Sequence, residues 1–180
     1  MFRTFVIAMA VAVASLSLVP AAHAADPQSI AIVDVEQILA KSKAAQDLQK
    51  QLSAKKESFQ KEFAAKEKQL KETQDSLVAS KGKLSDEEFA KKYKAYEEKV
   101  NDTRQQFQKS RNSLDQGLGK SMAELRKDIV EATASVADEK HFDIVLSRES
   151  VLIAEKTLDI TSDVLAKLDA KVTSIPLKVE

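Results

Sequence analysis

Between Lys41 and Glu139 the chain carries apolar residues at helical spacing with one interruption, Lys81-Gly82-Lys83-Leu84-Ser85. Leu48, Leu52, Phe59, Phe63, Leu70 and Leu77 recur at steps of four or seven, which keeps them on one face of a helix. Phe89, Tyr93, Tyr96, Val100, Phe107 and Leu114 repeat the pattern beyond the break. Such a chain doubles back on itself as a long antiparallel helical hairpin. Residues at one height of an antiparallel pair have position numbers that add to a constant. Leu77 with Phe89, Leu70 with Tyr96, Phe59 with Phe107 and Leu52 with Leu114 all give 166, which sets the expected pivot at residue 83. Gly82 suits a helix end, and Ser85-Asp86-Glu87-Glu88 reads as a capping box for the returning helix. Residues 41–80 make an arm of roughly 60 Å at 1.5 Å per residue.

Residues 1–24 read as an export signal: Arg3 is the positive region, Phe5 to Val19 the apolar run and Ala22-His23-Ala24 the cleavage site. An exported chain with no Cys has neither disulfides nor thiolate chemistry, and the expected compartment is a bacterial periplasm. The arms, residues 41–125, hold 19 Lys and Arg against 14 Asp and Glu. The other segments after residue 24 hold 8 against 14. The chain as a whole is neutral, too balanced to argue for a polyanion partner, and no nucleic-acid partner is expected.

The expected fold class is α+β, a long antiparallel helical hairpin projecting from a small β-sheet or barrel body that oligomerisation completes. Its parts are a body segment with an N-terminal strand (25–40), the arm (41–125, tip near 81–85) and a returning body segment (126–180). Ile30 to Val35, Phe142 to Leu146 and Val151 to Ala154 are the strand candidates, the last two joined by a turn at Ser147 to Ser150. A final helix opens at Thr161 or Ser162 and closes before Pro176, leaving a loose tail. So small a body with apolar sheet edges favours pairing with further copies, and Ile30, Ile32, Ile144 and Leu146 are the expected interface.

No set of residues supports catalysis or metal binding, and no cofactor is expected. His141 is the one His beyond the signal, and the glycines sit at 82, 117 and 119 rather than in a phosphate loop. Phe63 and Val100 are expected to be exposed, because their partners in the 166 register are Thr103 and Lys66. With Tyr93 and Leu84 they are the candidate apolar contact residues. Lys81, Lys83, Lys91, Lys92 and Lys94 form a basic tip, read either as a capture site or as a solvated face interleaved with Asp86, Glu87, Glu88, Glu97 and Glu98. Gly117 and Gly119 lie where the heptad spacing stutters through Leu118 and Met122. They mark either a hinge or a straight helix that tolerates them.

The strand Ile30 to Val35, the charged hairpin, Phe142 to Leu146 and the closing Leu158-Asp159-Ile160-Thr161-Ser162-Asp163-Val164-Leu165 together resemble the Skp/OmpH-like periplasmic chaperones. The resemblance implies a homotrimer with a β-barrel body and three helical hairpins around a client cavity. It also implies an ATP-independent holdase for unfolded outer-membrane β-barrel proteins. Some members are strongly basic and this chain is not, so contact with an anionic membrane surface is expected to be weak. A coiled-coil spacer of the envelope is the alternative from another functional class.

Overall fold

The computed structural model describes residues 29–179, and the expected export signal lies outside them. Strand β1 (Ile30–Val33) leads into a short helix α1 (Val35–Lys41), which Asp34 caps by accepting a hydrogen bond from the Gln37 amide at 2.7 Å. Ser42, fully buried, separates α1 from the outgoing arm α2 (Lys43–Ser80). Its N–H closes α1 on the Ile38 carbonyl and its hydroxyl caps α2 at Ala45. The 38 residues of α2 span about 57 Å. Helix α3 (Asp86–Lys140) returns past the body in 55 residues, about 80 Å. Ser85 and Glu88 form the expected capping box at its start. Its end is a Schellman motif in which His141 takes the left-handed conformation at φ 57°, Phe142 N–H donates to Ala137 and His141 N–H to Asp138.

Strand β2 (Ile144–Ser147) pairs parallel with β1 in the register Ile30↔Ile144 through Val33↔Ser147. A parallel pair requires a crossover connection, and here the entire hairpin is that crossover. Asp159 adds a parallel bridge on the other side of β1 at Ile32. Helix α4 (Thr161–Lys171) then packs on α3 and α1. The core lies between the sheet and these helices and is made of Ala31, Val33, Ile38, Leu125, Ile129, Val136, Val164, Leu168 and their neighbours.

The structure corrects three expectations. Val151 to Ala154 is not a strand: short 3-10 turns at Arg148–Ser150 and Lys156–Leu158 flank it, and Leu152 and Ile153 stand 96% and 87% exposed. The segment expected as a hairpin turn is a 3-10 turn at Arg148–Ser150 directly after β2, and it does not return the run along the free edge of β2. The arms are not registered about residue 83. Lys66 Nζ bonds Gln106 Oε1, Phe63 packs on Phe107, and Ser80 lines the same groove as Lys92. These pairs add to 170–172, so the partner of each α2 residue lies four to six positions further along α3. The loop after Ser80 climbs beside the first turns of α3 rather than closing level with them. The tail after α4, finally, is not loose but docked between the arm roots.

Candidate functional site

The arms have almost no core of their own. From residue 53 to residue 113, only Phe63 and Leu77 are buried. Phe63 is 7% exposed, contrary to expectation, because the shifted register places it against Phe107 with centroids 4.9 Å apart and planes at 82°. Phe59 meets Phe63 edge-on at 6.5 Å, and Lys55 Nζ lies 4.8 Å from the Phe59 centroid. The exposed aromatics are Phe107 (50%) and Tyr93 (47%), the latter stacked beside Phe89 at 6.4 Å. Val100 and Leu84 are half-buried rather than open. Phe107 was assigned to the seam opposite Phe59 in the 166 register; in the structure it meets Phe63 and leaves half its surface open.

At the tip, Lys81, Lys83, Lys91, Lys92 and Lys94 are all exposed. Glu88, one turn before Lys92, has its carboxyl held below the ordinary range, first by the Ser85 hydroxyl and then by the Ser85 amide, with a smaller contribution from Lys92. The tip is therefore a mixed-charge surface with a basic excess rather than a continuous positive stripe.

In the body, alternation along the paired strands divides the four expected interface residues. Ala31, Val33 and Val145 face the helices. Ile30, Ile144 and Leu146 lie on the opposite face, 36–38% exposed, while Ile32, flanked by β2 and Asp159, is buried within the chain. Leu152 and Ile153, missed as exposed residues because they were read as strand, add to the uncovered apolar surface of the body.

Gly117 and Gly119 have separate roles. α3 runs unbroken through both. A Cβ at Gly119 would meet open space, whereas one at Gly117 would lie 2.5 Å from the Lys178 carbonyl oxygen. Gly117 is where the C-terminal tail presses on the arm, while Gly119 faces open space.

The family model for outer membrane protein (OmpH-like) matches residues 29–168. Comparison with the curated proteins gives no match. Among solved structures, a Caulobacter crescentus CB15 protein designated an OmpH-like outer membrane chaperone aligns with a TM-score of 0.79 and 18% identity, covering 88% of this chain and 94% of that one. That likeness shows a shared fold, two long helices on a small strand pair. With its helical hairpin inserted as the crossover between two parallel strands, and matched by the family model over most of its length, the chain belongs to the OmpH-like outer membrane protein family.

Proposed function

We infer that this chain is an ATP-independent periplasmic holdase, which binds unfolded outer-membrane β-barrel proteins and keeps them from aggregating without performing a reaction. The observation that carries the reading is the emptiness of the arm core: long paired helices that bury only Phe63 and Leu77 between residues 53 and 113 leave their other apolar side chains available. An unfolded barrel strand alternates apolar and polar residues. Dispersed sites such as Tyr93 and Phe107 among Lys, Glu and Gln suit it better than one deep pocket. Designation of the structurally similar Caulobacter protein as an outer membrane chaperone supports the same reading.

The working form is a homotrimer. Uncovered Ile30, Ile144, Leu146, Leu152 and Ile153 on one small body are apolar surface that copies of the chain would bury, leaving the arms side by side. The basic tip attracts clients at long range, and its interleaved carboxylates keep contact with an anionic membrane weak. The test is to dilute a urea-unfolded barrel protein with and without this chain and follow light scattering. Suppressed aggregation at near-stoichiometric trimer is expected. No suppression overturns the holdase and leaves an envelope spacer as the better account.

A further inference from the structure

The tail beyond α4 is held as a bound peptide is held. Gln51 on α2 gives its side-chain N–H to the Ile175 carbonyl at 3.0 Å and accepts from the Leu177 N–H at 2.9 Å. Those two groups, one on either side of residue 176, are the pair a neighbouring strand takes in a parallel ladder, so the carboxamide replaces a backbone amide. Ser121 on α3 does the same one residue later, donating to the Pro176 carbonyl at 2.8 Å and accepting from the Lys178 N–H at 3.2 Å. The absence of a side chain at Gly117 lets the tail backbone lie against α3. Ile175, 2% exposed, is the one tail side chain in the core. The groove thus reads main chain plus one aliphatic side chain, a recognition mode indifferent to most of the sequence presented.

The remaining ties are weak. Ser174 with Asp47 and Lys178 with Glu124 are polar contacts at the surface, and ordering the tail costs conformational entropy. We propose that the groove between the arm roots, edged by Gln51 and Ser121 and floored by Gly117, is a binding site for an extended segment of unfolded polypeptide bearing an aliphatic residue. The chain's own residues 173–179 fill it in cis when no such segment is present. The proposal rests on the holdase reading for the identity of the segment. It also supplies what a fuel-free holdase needs, since a tethered tail at high effective concentration displaces the bound segment on its return.

The test uses the full chain with Ile175→Asp, which unseats the tail, and a fluorescein-labelled synthetic peptide of residues 172–180 read by anisotropy. Saturable binding at least tenfold tighter than to the unaltered chain is expected, with loss of that binding when Gln51→Ala and Ser121→Ala are added. Should Ile175→Asp fail to fold, Leu177→Pro with Lys178→Pro removes the two tail donors and leaves Ile175 in place. A folded, unseated chain that binds no peptide overturns the proposal. A urea-unfolded barrel protein should then compete the peptide off. If it fails to compete while the same chain still keeps it soluble, the groove is not a client site and the holdase reading stands. If the peptide binds and no barrel protein is protected, it is the holdase reading that falls.

Discussion

Thr161 and His141 show how single residues tie the hairpin to its body. The Thr161 hydroxyl, almost fully buried, accepts from the Asp34 N–H at 2.9 Å, and its own N–H donates to Asp159 Oδ1 at 2.9 Å. One side chain therefore joins the end of β1, the bridge at Asp159 and the start of α4. Thr161→Val keeps the shape and leaves the Asp34 N–H without its acceptor, an expected cost of about 1–3 kcal/mol in urea unfolding. Asp159 has its carboxyl held below the ordinary Asp value of 3.8, chiefly by a hydrogen bond from the Thr161 side chain, which Thr161→Val removes, and less by the Thr161 N–H, which it keeps. A carboxyl lowered on folding stabilises fully above the unfolded value and loses that contribution as pH falls through the lower folded one. Stability is thus expected to drop below pH 3.8 in the native chain, with a shallower drop in Thr161→Val; equal slopes in acid titration would show that the bond is not the cause. His141 holds φ 57° without the freedom of glycine, so His141→Gly is expected to stabilise by about 1 kcal/mol, seen as a higher urea midpoint at unchanged slope.

Among the elements, α3 carries the sharpest contrast between neighbouring positions. Gly119→Ala meets nothing and gains helix propensity, so it should stabilise by about 1 kcal/mol; Gly117→Ala must displace the Lys178 backbone and should lower the melting temperature instead. A chain in which both substitutions stabilised would show that the tail is not docked. Gly117 also marks what sequence reading can and cannot reach. The two long helices, the capping box at Ser85 and a first strand, expected over Ile30 to Val35 and ended at Val33 where α1 takes over at Val35, were legible because each depends on residues close in sequence. The docked tail was not, because Gln51, Ser121 and Ile175 are brought together only by the completed fold. The arm register fell between these cases. Periodicity identifies the faces that meet but leaves the offset along the helices to the path of the loop, and heptad spacing satisfies more than one offset. That offset moved Phe63 from the candidate contact surface into the seam and left Phe107 half-exposed. At the tip, replacing Lys81, Lys83, Lys91, Lys92 and Lys94 by Gln should slow client association at low salt and flatten its salt dependence. Melting temperature should hardly change, since exposed charges are screened within about 10 Å at 0.1 M salt.

For the whole molecule, the division of labour is between a body with a packed core and arms without one. Ile38, Leu125, Ile129, Val164 and Leu168 are almost completely buried in the body, while the middle of the arms is held by the Phe59, Phe63 and Phe107 group and little else. Arm length should therefore be adjustable without loss of the fold. The 172 register specifies how: deleting residues 59–72 from α2 and 100–113 from α3 removes two heptads from each side at matching heights, preserving the faces that meet. Each arm becomes about 21 Å shorter. The shortened chain is expected to keep the oligomeric state and the body's melting transition and to lose protection of large barrel proteins before small ones. Deleting 59–72 with 94–107 follows the 166 register instead: both ends of the seam stay in step, but residues 73–78 then face 108–113, and Leu77 loses Tyr96, which lines the same groove in the intact chain. It should cost stability that the matched deletion does not. Sedimentation and aggregation assays on the two variants, run beside the intact chain, separate arm length from the matching of the arm faces. If the matched deletion protected large clients as well as the intact chain does, the middle of the arms would have no part in holding them.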